Sequence, residues 1–150
     1  MIQIEHLVKN YGSNCAVDDI SLSIGEGEIV GFLGPNGAGK STTMNILTGY
    51  LSSTAGRISV AGIDVLGDPL NAKRQIGYLP EQPPLYPNET PLEYLRFVGE
   101  AKGLRGEELE RQIRSVTAQA KIETVQNRRI SDLSKGFKQR VGISRVVVKQ

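Results

Sequence analysis

Residues 34–41 constrain the fold and function of this chain more than any other segment. Their sequence is Gly-Pro-Asn-Gly-Ala-Gly-Lys-Ser. Their glycines, lysine and serine have the spacing of a phosphate-binding P-loop. Several backbone N–H groups must point inward together to bind triphosphate oxygens, and glycine permits that curvature without a blocking side chain. Lys40 can then reach the β- and γ-phosphates, and the Ser41 hydroxyl can bind Mg²⁺. The pattern therefore predicts a nucleotide site.

The segments on either side of this loop fit the same prediction. Residues 28–33 form an apolar run that is typical of a buried strand entering the loop. Residues 41–50 carry Met44, Ile46 and Leu47 at a spacing that indicates a helix leaving it. Such a helix would direct the positive end of its dipole at bound phosphates.

Length and composition exclude several other classes of protein. A chain of 150 residues has room for about one domain. Its 18 basic and 16 acidic residues nearly balance, which argues against nucleic acid as the main partner. No apolar run approaches the roughly 20 residues of a membrane span, and no signal peptide is visible. A single cysteine, Cys15, excludes an internal disulfide and fits a reducing cytoplasm.

Alternation of apolar and polar residues predicts an antiparallel sheet around the loop. Two of the runs are joined by Ala61-Gly62 and predict a hairpin, and one run ends at Pro80 as a buried strand. His6 is expected to be a polar residue on a strand face, not a catalyst. The predicted strands cover residues 2–8, 16–24, 28–33, 57–60, 63–65 and 76–80.

Helical patterns dominate the second half of the chain. Proline-rich residues 81–91 predict a loop, and Thr90 with Glu93 predicts a capping box at the start of the next helix. Ser134 predicts the N-cap of a last helix; most such sites only cap helices, and some bind anions. The predicted helices cover residues 71–75, about 92–103, 107–122 and the residues that follow Ser134.

The order of these features resembles the ATP-binding subunit of ABC transporters. Residues 133–140, Leu-Ser-Lys-Gly-Phe-Lys-Gln-Arg, are similar to the signature of that family, whose common form is Leu-Ser-Gly-Gly-Gln. The resemblance implies an α/β fold: a P-loop NTPase core with an N-terminal antiparallel β subdomain and an inserted α-helical subdomain, incomplete at the C-terminus. The partial domain, 1–150, would divide into a β subdomain with the P-loop core (1–89), a helical subdomain (90–128) and the signature with its helix (129–150).

The resemblance also implies roles for individual residues. Tyr11 matches the aromatic residue that stacks on adenine, although its local sequence also suits a core or rim position. Glu81 and Gln82 lie in the segment that matches the family's Q-loop, and either of them could face the metal. Ser134 and Gly136 match signature groups that contact ATP held by an opposite subunit. The implied phosphate cradle, in which Ser41 is the metal ligand, consists of Gly34, Asn36, Gly37, Ala38, Gly39, Lys40, Ser41 and Thr42.

The function implied is binding of ATP and Mg²⁺, and hydrolysis that powers transport by a membrane permease. Two ATP-binding subunits would pair head to tail on the cytoplasmic face of the membrane, without inserting into it and without nucleic acid. Lys135 and Phe137 depart from the common signature and, with residues 76–87, are similar to the branch that serves ABC-2 type exporters.

Two further expectations concern hydrolysis. The family's Walker B aspartate and catalytic glutamate would follow Gln150, so no catalytic residue is assigned and residues 1–150 alone are expected not to hydrolyse ATP. The alternatives are a soluble ABC ATPase without a permease and a nucleotide-binding module without hydrolysis.

Overall fold

A computed structural model of the chain describes residues 1–148. They form two compact units, Met1–Gly77 and a second unit that begins at Tyr78. Lys149 and Gln150, the end of the predicted segment 129–150, lie outside the described residues. Within the part of the chain that is described, no helix has the length and apolar character needed to cross a bilayer.

The first unit is built on a four-stranded antiparallel sheet. Its strands are β1 (Ile2–Tyr11), β2 (Asn14–Ile24), β3 (Ala55–Val60) and β4 (Ile63–Asp64), in the spatial order β2-β1-β3-β4. Ile4 of β1 lies opposite Leu22 on one side and Ile58 on the other. Ile4, Leu7 and Ile58 are buried in one core. The strands predicted at residues 2–8 and 16–24 and the hairpin after residue 57 are confirmed.

An irregularity interrupts the pairing of β1 with β2. The register shifts between Ile4 and Leu7, and His6 and Asp19 have positive φ angles of 48° and 46°. The His6 Nδ1 atom lies 2.8 Å from Asp19 Oδ1, and both side chains are exposed. His6 is therefore a polar strand residue, as predicted, and Cys15 is an exposed residue of β2.

The strands predicted at residues 28–33 and 76–80 are absent from the described structure, so that prediction is wrong. Ile29 is fully exposed and Leu33 is 91% exposed, although both were expected to be buried. A strand needs a neighbour that accepts and donates backbone hydrogen bonds, and an apolar run alone does not supply one. Neither segment pairs with a strand among residues 1–148. The chain therefore enters the loop from irregular structure.

Two helices complete the first unit. Helix α1 (Lys40–Leu47) follows the loop and buries Ile46 in the core beneath the sheet. Helix α2 (Pro69–Arg74) begins at Asp68, whose side chain accepts a hydrogen bond from the Asn71 N–H. Both helices were predicted, and α1 ends at Leu47 instead of continuing to residue 50.

Over its described residues, 78–148, the second unit consists of three helices and two short 3₁₀ turns. The helices are α3 (Pro91–Ala101), α4 (Gly106–Ala120) and α5 (Lys135–Val147), and the turns are Glu123–Val125 and Ile130–Asp132. The helices predicted after Thr90, over residues 107–122 and after Ser134 are confirmed, with small shifts at their ends. Their shared core buries apolar residues from every element, among them Leu95, Ile113, Val125, Ile130 and Val141.

The capping box that starts α3 is complete. The Thr90 N–H donates to Glu93 Oε2 at 2.8 Å, and the Glu93 N–H donates to Thr90 Oγ1 at 3.3 Å. The hydrogen bonds from the Thr90 backbone and then from its hydroxyl hold the pKa of Glu93 below its usual value of 4.5. The ionised carboxylate therefore stabilises the start of the helix.

Helix α5 passes very close to the chain segment at residues 79–83. A Cβ atom on Gly142 would lie 2.7 Å from Pro83 Cγ and 2.9 Å from Leu79 Cδ1. These distances are shorter than van der Waals contact, and the proline ring has little freedom to move away. Glycine at position 142 therefore permits the contact between α5 and this segment.

We expect Gly142→Ala to be less stable than Gly136→Ala by about 1–3 kcal/mol. Overpacking costs about 1–3 kcal/mol at position 142 only, whereas both variants gain the better helix propensity of alanine. Gly136→Ala is the matched control, because its Cβ would meet nothing nearer than Ser134 Oγ at 4.0 Å. Urea unfolding of both variants measures the difference. Equal stability of Gly142→Ala and Gly136→Ala would contradict the packing argument.

The capping box also predicts a pH dependence. Because the folded pKa of Glu93 is lowered, its contribution is present above the unfolded value of 4.5 and is lost as the pH falls through the folded value. The melting temperature of Glu93→Gln should therefore lie below that of the wild type at neutral pH. The two temperatures should converge as the pH falls below about 4.5. A difference that stays constant between pH 7 and pH 3 would show that the charge does not contribute.

Candidate functional site

The loop at residues 34–41 is curled, and two of its glycines require positive φ. Residues 36 and 37 form a turn, and α1 begins three residues later at Lys40. Gly37 and Gly39 have φ angles of 85° and 79°, in the left-handed region that side chains disfavour. The predicted turn of glycine-rich backbone into a helix is therefore present.

The ammonium group of Lys40 lies inside the curve of this loop. Its Nζ atom donates hydrogen bonds to the carbonyl oxygens of Gly34 and Pro35, both at 2.7 Å. The Ala38 N–H donates to the Pro35 carbonyl at 3.3 Å and closes the turn. The lysine thus holds the loop in a curved form and places its ammonium group within the curve.

The N-terminus of α1 has no side-chain cap. Gly39 occupies the N-cap position, and no side chain accepts a hydrogen bond from the first turn. The first amide groups of a helix have no partner within the helix, and the dipole places partial positive charge there. With the Lys40 ammonium beside these donors, the site has the charge and hydrogen-bonding capacity to bind a phosphate group.

Ser41 is exposed in the first turn of α1, where its hydroxyl oxygen suits a hard cation such as Mg²⁺. Among residues 1–148, no group of three or more histidine, cysteine or acidic side chains is placed to hold a metal ion. Magnesium in proteins commonly takes most of its ligands from substrate phosphates and water. The donor set at Ser41 therefore fits a metal that arrives together with a phosphate.

Tyr11 ends β1 and is 48% exposed. The Nζ atom of Lys9 lies 5.2 Å from the centre of its ring, which is within range of a cation–π interaction. Of the positions left open by the sequence, the exposure excludes the buried core, whereas a rim position and stacking on a base both fit. Its contact with adenine stays a prediction.

Two of the four predicted site residues of the second unit, Glu81 and Gln82, lie at a cavity of about 260 Å³, whereas Ser134 and Gly136 do not line it. Glu81 and Gln82 line it together with Lys135, Lys138 and Gln139 from α5. The Gln139 side chain donates a hydrogen bond to the Glu81 carbonyl at 2.9 Å. The sequence analysis assigned no role to Gln139, although its position four residues after Lys135 places both on one face of α5.

Ser134 caps α5, as predicted. Its hydroxyl accepts a hydrogen bond from the Phe137 N–H at 3.4 Å. Gly136 is exposed in the first turn, and space is open around it. The structure thus places a hydroxyl and a bare backbone side by side at the start of α5, and their contact with a nucleotide stays a prediction.

The opposite end of α5 is held by a residue that the sequence analysis did not single out. The Lys102 ammonium donates to the carbonyl oxygens of Arg145, at 3.4 Å, and of Val148. Burial, and secondarily the charge of Arg145, lowers the pKa of Lys102. A cation at the negative end of a helix dipole stabilises it, so Lys102 has a structural role.

Comparison with known proteins gives one consistent family. The family described as "ABC transporter" matches residues 17–150. The uncharacterized ABC transporter ATP-binding protein YxlF of Bacillus subtilis is 37% identical over 148 residues, which are 99% of this chain and 48% of YxlF. The probable multidrug ABC transporter ATP-binding protein YbhF of Escherichia coli is 34% identical over 144 residues, 96% of this chain and 25% of YbhF.

A solved structure supports the same assignment. It is the dimeric post-hydrolysis state of the ATP-binding cassette MJ0796 bound to ADP and Pi, with a TM-score of 0.84 and 30% identity. The match covers 99% of this chain and 69% of that one. The α/β P-loop NTPase fold predicted from the sequence is therefore confirmed. The chain spans about half the length of YxlF and a quarter of YbhF.

The loop geometry predicts that Gly39 does not tolerate alanine. A Cβ atom there would lie 2.3 Å from the Ala16 carbonyl oxygen, and its φ would add about 1–2 kcal/mol of strain. We expect Gly39→Ala to displace the loop and to reduce binding of a fluorescent ATP analogue at least tenfold. Gly27→Ala is the matched control, because it has a similar φ of 76°, nothing within 4 Å of the added atom, and a position outside the loop. Equal binding by the two variants would contradict this account.

Proposed function

Since the chain belongs to the ABC transporter family, we propose that the protein binds ATP with Mg²⁺ and hydrolyses it to power transport by a membrane permease. The observation that carries this proposal is the curled loop around Lys40 at the uncapped N-terminus of α1. These groups supply a charge and several N–H donors where a triphosphate would lie.

The remaining site residues have roles in the same proposal. The Ser41 hydroxyl binds Mg²⁺, Thr42 belongs to the phosphate cradle, and Tyr11 stacks on the adenine ring. Glu81 or Gln82 contacts the metal and links the site to the permease. These assignments are supported by the family resemblance and by the exposure of Tyr11, Ser41 and the Q-loop pair.

The active form in this proposal is a head-to-tail pair of ATP-binding subunits. Ser134 and Gly136 of each subunit contact ATP bound to the P-loop of the other. The dimeric state of MJ0796, which is bound to ADP and Pi, supports this arrangement. Both positions are exposed at the start of α5, as a contact between subunits requires.

The partner in the proposal is a permease, and the protein acts at the cytoplasmic face of the membrane. The direction of transport is export. Support for export comes from the name of YbhF, a probable multidrug transporter component, and from the altered signature with Lys135 and Phe137.

Removal of the Lys40 charge tests the proposal directly. We expect Lys40→Ala to weaken ATP binding about 10- to 100-fold, because charge-assisted hydrogen bonds to the phosphates are lost. ATP turnover and transport by the protein with its permease should fall with it. Lys73→Ala, which removes a charge from the last turn of α2, is the matched control. Unchanged transport by Lys40→Ala would overturn the proposal.

A further inference from the structure

Phe137 lies in the first turn of α5 and has two separate contacts. Its N–H group donates the hydrogen bond to Ser134 Oγ, at 3.4 Å, that caps the helix. Its ring is half-buried and packs against the apolar core of the second unit. The residue that completes the cap is therefore also anchored by its side chain.

The side chain of Arg140 lies over the Phe137 ring. The Arg140 Cζ atom lies 5.4 Å from the centre of the Phe137 ring, within range of a cation–π interaction. The two residues are three positions apart, so both face the same side of α5. The ring thus limits the directions in which the guanidinium group can extend.

The guanidinium group reaches the end of another helix. Its NH1 atom donates a hydrogen bond to the Lys121 carbonyl oxygen at 3.2 Å. Lys121 is the C-cap of α4 and has a left-handed conformation, with φ of 54°. Carbonyl groups at a helix C-terminus lack partners within the helix, and the dipole makes that end negative. Arg140 therefore supplies both a donor and a positive charge where α4 needs them.

We propose that Phe137 and Arg140 are positioning residues that fix the first turn of α5 against the end of α4. The proposal rests on the function proposed above, in which Ser134 and Gly136 contact ATP held by a second subunit. The connection runs from the Ser134 hydroxyl through the Phe137 backbone and ring to Arg140, and from Arg140 to the Lys121 carbonyl.

A specific defect follows from this connection. Without the ring or the guanidinium group, Ser134 and Gly136 are unchanged, but the first turn of α5 loses its fixed position. ATP binding to the subunit's own P-loop should be unaffected, because residues 34–42 take no part in these contacts. Closure of two subunits on ATP should need more nucleotide, by about three- to tenfold, as expected for the loss of one exposed cation–π contact or one hydrogen bond of ordinary net strength.

The test measures ATP-dependent pairing of the full-length subunit. Light scattering with a non-hydrolysable ATP analogue gives the concentration for half-maximal dimer formation, and a fluorescent analogue reports binding to the P-loop. The variants are Phe137→Leu, Arg140→Met, the double variant and Phe137→Trp, which keeps an aromatic face. Arg111→Met is the matched control, because that exposed guanidinium pairs with Glu108 on the same helix.

We expect Phe137→Leu and Arg140→Met each to raise this concentration three- to tenfold, with unchanged P-loop binding. The double variant should be no worse than the more impaired single variant, since both act through one connection. Phe137→Trp and Arg111→Met should behave as the wild type.

Three results would overturn the positioning role. They are unchanged pairing by Arg140→Met, additive effects in the double variant, or an equal defect in Phe137→Trp and Phe137→Leu. Failure of the wild type to bind the analogue, or to pair when it is bound, would instead overturn the proposed function and the positioning role with it. If Phe137→Leu does not fold, Arg140→Met and Phe137→Trp still decide between these results.

Discussion

The contact between Gly39 and β2 is the constraint on which the phosphate site depends. A hydrogen atom is all that fits between the Gly39 backbone and the Ala16 carbonyl oxygen, since a Cβ there would come within 2.3 Å. This contact fixes the place where α1 begins relative to the sheet. The loop before it can then curve around Lys40, because its C-terminal end is held at Gly39 and its glycines allow positive φ.

In the second unit, too, a glycine permits a close contact between two segments of the chain. Gly142 lets α5 approach Pro83 and Leu79, and the Gln139 side chain holds the Glu81 carbonyl one turn earlier on the helix. Glu81, one of the two predicted Q-loop residues, is thereby tied to the helix that carries the predicted signature residues. A displacement of α5 would move Glu81 as well, so the two predicted parts of the site in this unit are mechanically connected.

Structural features whose cause lies within a few residues could be predicted from the sequence, and features that depend on distant residues could not. The hairpin at Ala61-Gly62, the capping box of Thr90 and the cap at Ser134 follow from side chains a few residues apart, and all are present. The strands at residues 28–33 and 76–80 failed because a strand also depends on a distant partner for its hydrogen bonds. Contacts such as Arg140 with the Lys121 carbonyl were beyond sequence reasoning, since they require the left-handed conformation at Lys121 and the packing of α4 on α5.

The loop around Lys40 also indicates why a phosphate would bind without rebuilding the site. The ammonium group already spans the carbonyls of Gly34 and Pro35, so the curvature exists before any anion arrives. An ammonium group has three N–H donors, so Lys40 can keep both carbonyl bonds and donate the third to a charged phosphate oxygen, which is a stronger acceptor than a neutral carbonyl. The uncapped amides of α1 gain acceptors at the same moment, and little ordering entropy is lost because the backbone is already in place. Preorganisation by one lysine thus accounts for both the curvature of the loop and its expected affinity for a nucleotide.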